Sequence, residues 1–203
     1  MKKLFLTLMM MLPMAVVAQD NTWERTTTAA IKDNVNPKYL AGAVPEVNGK
    51  VVFSTTIKAP GKTKKEIYTL LLDDFKKIMK EPNQFEQSRI VLADEENYSQ
   101  IIASYQEWLV FKNKPLVLDR TRLFYHLMAE ISDGEATIKM TRIYYFYDEE
   151  RQPTTYQAEE WINDHYGLNK KMTKTARVSG KFRIKTIDRK DYLFNRFEQL
   201  LTK

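Results

Sequence analysis

The run RTRLFYHLMAEISDGEATIKMTRIYYFY, residues 120–147, decides the fold. Two alternating segments flank Ser132-Asp133-Gly134-Glu135, where the glycine can take the positive φ that a tight hairpin turn requires. Pairing Ile131 with Ala136 predicts a core face of Leu123, Tyr125, Leu127, Ala129, Ile131, Ala136, Ile138, Met140, Tyr144 and Phe146. The opposite face then collects Arg120, Arg122, Phe124, His126, Met128, Lys139, Ile143, Tyr145 and Tyr147, unusually aromatic for an uncovered surface. Arg142 falls on the core face and is the misfit of this register.

Upstream of the hairpin, residues 89–93 and 99–111 read as strands separated by the acidic turn Asp94-Glu95-Glu96-Asn97, with Lys114-Pro115 as the next break. Glu107 lies among the buried positions of the second strand, which predicts a bulge or a sheet end there. Earlier still, residues 50–58 alternate after the Asn48-Gly49 turn signal, placing Val51, Phe53, Thr55 and Ile57 on one side. Thr63-Lys64-Lys65-Glu66 is a capping box, and Ile67, Leu70, Leu71, Phe75, Ile78 and Met79 recur at helical spacing before Pro82. Residues 19–45 show no sustained period and read as a loose lead-in.

Downstream, Thr154-Thr155-Tyr156-Gln157 reads as a helix cap, with Ala158, Trp161, Ile162 and Tyr166 as a helical stripe ending at Gly167. Residues 178–187 alternate Phe182, Ile184 and Thr186 with Lys181, Arg183 and Lys185, predicting a short basic strand. Asp188 then caps a last helix with the stripe Leu193, Phe197, Leu200 and Leu201. Runs of strands with few helices define an α+β domain with a mainly antiparallel sheet, helices packed on one face and the other face open. Residues 46–203 form that single domain.

Residues 1–18 read as a cleavable signal peptide. Lys2 and Lys3 are followed by an apolar run to Val17, and Val16-Val17-Ala18 offers small residues for cleavage before Gln19. The run is shorter than the roughly 20 apolar residues that cross a bilayer, so no transmembrane span is expected after cleavage. The expected address is the periplasm, the outer membrane or the medium, where nucleic acid is a poor partner. The chain has no cysteine, which excludes disulfides, thiolate nucleophiles, cysteine-ligated metals and acylation at the cleavage site. Residues 168–203 hold eleven Lys or Arg against three acids. That asymmetry fits a solvated face of ordinary strands and helices, with contact with an anionic envelope surface as the sharper alternative.

Catalytic equipment is sparse. His126 and His165 are the two histidines, and no His-Glu-x-x-His, Gly-x-Ser-x-Gly or phosphate-cradling glycine pattern occurs. The clusters Asp73-Asp74, Asp94-Glu95-Glu96 and Asp148-Glu149-Glu150 lack the spacing of a calcium loop. No cofactor or metal is expected, and the expected role is a non-enzymatic binding module, with a structural part of an envelope assembly and an enzyme with an unrecognised site as the alternatives. Trp108 and Trp161 are assigned to core packing. The constellation to follow is the open hairpin face, with Arg120, Arg122, Phe124, His126, Tyr145 and Tyr147 as candidate binding residues for an unidentified envelope ligand or protein. The alternative is that another segment, such as the C-terminal helix, covers it.

Several stretches also resemble a known family: residues 39–53 (YLAGAVPEVNGKVVF), 107–111 (EWLVF), 118–122 (LDRTR), 158–161 (AEEW) and 180–183 (GKFR). Together they are similar to the exported Bacteroidota proteins grouped as domain of unknown function 4468. The resemblance implies a TBP-like fold, in agreement with the element order, and carries over no activity or catalytic residues. It implies nothing about DNA, because function belongs to sites and not to folds.

Overall fold

The computed structural model describes residues 34–203, so the signal-peptide reading and the lead-in as far as residue 33 lie outside the described residues. The chain runs β1 (Glu46–Val47), β2 (Lys50–Val51), β3 (Phe53–Lys58), α1 (Lys64–Ile78), β4 (Arg89–Ala93), β5 (Gln100–Lys114), β6 (Val117–Ser132), β7 (Glu135–Tyr147), β8 (Thr154–Gln157), α2 (Asp164–Gly167) and α3 (Gly180–Thr202). The large sheet is antiparallel in the order β3-β7-β6-β5-β4, and β8 joins β7 beyond the end of β3.

The central hairpin turns on Asp133-Gly134, with Ile131 opposite Ala136 as predicted and Gly134 at φ +74°. Leu123, Tyr125, Leu127, Ala129, Ala136, Ile138 and Met140 are buried between the sheet and α1 and α3, which share one face. The predicted capping box holds at the start of α1: Thr63 accepts from the Glu66 N–H, and the Glu66 carboxylate accepts from the Thr63 N–H at 2.7 Å. Ile67, Leu71, Phe75 and Ile78 are its fully buried stripe. Mainly antiparallel strands with helices on one face are the expected α+β architecture.

Several expectations are corrected. Residues 180–202 form one helix, not a strand followed by a helix. Phe182, Thr186, Arg189, Leu193, Phe197 and Leu201 are buried along it at helical spacing. The alternation misled because Arg183 and Lys185 are buried too, so a basic side chain here does not mark a solvent face. Part of the C-terminal positive charge is therefore internal. Likewise, β8 and a 3-10 turn (Ala158–Glu160) replace the predicted helix, leaving one helical turn at α2. Residues 154–157 pair with β7, and Tyr156 stacks on Trp161 at 3.9 Å.

Two residues of the lead-in, Tyr39 and Val44, are packed into the domain. Tyr39 is 2% exposed and donates its hydroxyl to Asp188 at 2.8 Å, and Val44 joins the core. The organiser is Arg183, fully buried in α3, which donates to the carbonyls of Tyr39, Leu40 and Ile162, each at 2.6 Å, and to Asp164 at 2.7 Å. Isolated polar residues in an aperiodic stretch gave no sign of this, because backbone carbonyls do the accepting.

Glu107 needs no bulge. It is fully buried and meets Arg189 of α3, which donates Nε to Oε1 at 2.8 Å and a terminal nitrogen to Oε2 at 2.7 Å. The β5 bulge lies further on, between Val110 and Lys112. Close approach also restricts the start of α3. A Cβ on Gly180 would sit 2.8 Å from the Thr175 Cβ. Gly180→Ala is therefore expected to destabilise by about 1–3 kcal/mol despite the better helix propensity of alanine, as thermal melting would check.

Candidate functional site: the open face of the sheet

The geometry of the face follows from one bulge. Phe124 pairs with Tyr144 and His126 with Thr141, so Tyr125 alone opposes both Arg142 and Ile143. Arg142 takes φ +52°, the left-handed conformation that bulges commonly give to glycine. The extra residue reverses the facing of the rest of β7. Ile143 and Tyr145 turn into the core, and Tyr144 and Phe146 turn out to the open face. Arg142, the misfit of the unbulged register, is the residue at which that register fails.

Tyr145 is consequently no surface ligand. It is fully buried, shares a 2.7 Å hydrogen bond with Thr186 and meets Phe182 edge-on at 5.1 Å. Burial pushes its phenol well above the usual range. Tyr147 also points to the helix side, between Phe111 and Phe182, and donates to Asp119 at 2.9 Å. Lys181 donates to both Tyr147 and Asp119, so the aspartate of the 118–122 stretch is held by α3 and not by Arg120.

The other four candidates share the open face, where residues missed in the sequence join them. Arg120 lies 3.6 Å above the Trp108 ring. Arg122 sits between Phe85 at 4.5 Å, Trp108 at 5.6 Å and Phe146 at 5.9 Å, and donates to Glu149 at 2.5 Å. Phe124 stacks on Tyr144 at 4.3 Å with planes 7° apart. Trp108, assigned to the core from its strand position, is in fact half-buried on this face. Phe85 arrives because residues 83–85 extend the edge beyond β4: the Trp108 N–H donates to the Asn83 carbonyl, and the Phe85 N–H to the Gln106 carbonyl. The C-terminal helix does not cover the face; α1 and α3 pack opposite.

Two recesses bound the strip. One, of about 410 Å³, is lined by Trp108, Leu118, Arg120, Phe146, Glu149 and Arg151. The other, of about 300 Å³, is lined by Lys50, His126, Arg142, Tyr144, Gln157 and Glu159. Burial, then the positive charges of Arg142 and Arg89, lower the His126 pKa, so its imidazole is neutral at neutral pH. Glu159 is engaged, accepting from the Val51 N–H at 2.9 Å. His165 lies apart and packs edge-on against Tyr166.

These features define a TBP-like α+β domain: an antiparallel sheet with two helices on one face and an aromatic, cationic opposite face. The chain belongs to the family described as domain of unknown function (DUF4468) with TBP-like fold, whose model matches residues 53–146. A DUF4468 family protein from Bacteroides ovatus, solved by crystallography, is 38% identical, with 82% of this chain and 94% of that one covered and a TM-score of 0.74. A TBP-like protein from Parabacteroides distasonis is 21% identical, covering 78% and 96% with a TM-score of 0.63, and shares the fold. No functionally curated protein matches the chain.

Proposed function

We propose that the protein is an exported, non-enzymatic binding module of the cell envelope that takes its ligand or protein partner on the open sheet face. One observation carries the reading: the face opposite the helices holds guanidinium groups interleaved with partly exposed aromatic rings, from Trp108 through Arg120 and Arg122 to Phe124 and Tyr144. Side chains of this kind dominate binding energetics where they line a surface. Export rests on the signal-peptide pattern of residues 1–18.

The test is crosslinking capture from native envelope with the wild-type chain and with Arg120→Ala and Phe124→Ala. Capture is expected to fall by tenfold or more, corresponding to hot-spot losses of about 2 kcal/mol. Melting temperatures are expected to move by only a few degrees, since half-exposed stacking pairs contribute about 0.5–1.5 kcal/mol. Unchanged capture would sink the reading.

A second reading, as a structural part of a larger assembly, draws on the β5–β6 hairpin tip, where Leu116 is 105% exposed and Val117 and Leu118 are exposed beside it. Size measurement of native extracts tests it, and a monomer in every fraction counts against it.

A further inference from the structure

We propose that the recess at the β7 bulge is an anion-binding site, in which Lys50, His126 and Arg142 hold the phosphate or carboxylate of an acidic sugar while the Tyr144 ring lies alongside it. The proposal deepens the open-face reading and names the ligand class for one end of that face. Lys50 from β2, His126 from β6 and Arg142 from β7 line the same recess of about 300 Å³. Among the described residues, none of the three has an ion pair or side-chain hydrogen bond, whereas Arg120, Arg122, Arg183, Arg189 and Arg196 are all engaged by rings, carboxylates or carbonyls. Lys50 and Arg142 bring two positive charges into one concavity against the single carboxylate of Glu159, and the net positive field favours an anion.

The backbone makes the same point. A bulge residue at φ +52° favours glycine, yet arginine stands at this position. Its guanidinium supplies nothing to the fold that the structure reveals, and strained residues of this kind gather at functional sites. The Tyr144 ring, braced by Phe124 on the sheet, gives the recess an apolar wall of the sort that sugar rings lie against.

His126 makes the site responsive to pH. The charged groups that face it are Arg142 on β7, Arg89 on β4, Lys50 on β2 and Glu159 after β8, and positive charge predominates. A bound anion offsets those cations and favours the imidazolium, so binding takes up a proton and tightens as pH falls through the range in which the imidazole of the occupied site protonates.

The experiment titrates the purified chain with glucose 6-phosphate, glucuronate and glucose, following His126 by NMR and heat by calorimetry. At least one of the two acids is expected to shift the His126 resonances and bind, with glucose silent, and the tighter acid identifies phosphate or carboxylate as the recognised group. Arg142→Gly is expected to weaken that binding at least tenfold with a melting temperature unchanged or raised, since glycine relieves the backbone. The proposal is overturned if neither acid perturbs His126, if glucose acts equally, if Arg142→Gly binds like wild type, or if its loss of binding comes with a loss of stability. Failure here with Arg120- and Phe124-dependent capture intact removes the anion site alone; acid binding with capture indifferent to those substitutions removes the wider open-face reading.

Discussion

Arg189→Ala is expected to lower the melting temperature by roughly 6–20 °C, corresponding to about 3–5 kcal/mol at 2–4 °C per kcal/mol for a domain of this size. Arg189 and Glu107 are both fully buried, and Arg189 also reaches Glu81 at 2.8 Å. Beside them Arg196 grips Asp74 with two hydrogen bonds and Glu81 with a third, so α1, β5 and α3 are joined through one network. Truncating Arg189 leaves Glu107 in the interior with Tyr125 and Gln84 as its side-chain partners among the described residues. Burial already pushes the Glu107 carboxyl up, and the guanidinium opposes that push. Without it the folded-state pKa rises further, so the folded variant binds more protons than the unfolded chain above about pH 4.3, and its stability falls as pH rises. The deficit is therefore expected to shrink on acidification from pH 7 to about 5, as melts across that range would reveal. A deficit independent of pH would point to lost packing instead. Replacing both Glu107 and Arg189 with methionine is expected to restore most of the stability, because an apolar pair leaves no buried charge unpaired.

Tyr145→Ala should rank beside it, at about 3–5 kcal/mol, for a different reason. The ring fills the space between β7 and Phe182, and its removal opens a cavity and strands the Thr186 hydroxyl. Tyr145→Phe keeps the ring and is expected to lose only about 1 kcal/mol. Thermal melts of the two variants separate packing from hydrogen bonding. Equal melting temperatures for wild type and Tyr145→Ala would restore the surface role that the unbulged register assigned to this residue.

The hairpin, its turn and register, the α1 capping box and the one-sided placement of helices were legible because period and turn chemistry are local properties. The open face was legible only as far as the bulge. Arg120, Arg122, Phe124 and His126 lie before the bulge's influence and are placed correctly, whereas a single inserted residue exchanges Tyr145 for Tyr144 and brings Phe146 out. Arg142 at a core position was the available signal, and it marks the reversal. The C-terminal helix was illegible for another reason. Hydrophobic periodicity assumes that charged residues face water, and Arg183, Lys185 and Arg189 are instead buried, Arg183 against carbonyls and Arg189 against a carboxylate. Those partners lie far away in sequence, where no local pattern reaches.

That distance has a kinetic side. The contacts of Arg183 with Tyr39 and Leu40, and of Tyr39 with Asp188, close loops of 144, 143 and 149 residues. Long closures lose the most chain entropy before any contact rewards them, so they form late. The sheet hairpins can zip from their own turns, but the segment around Tyr39 lacks its Arg183 and Asp188 partners until α3 has emerged and coiled. A chain halted before residue 180 is therefore expected to keep its early residues unfastened, which makes α3 the latch that completes folding.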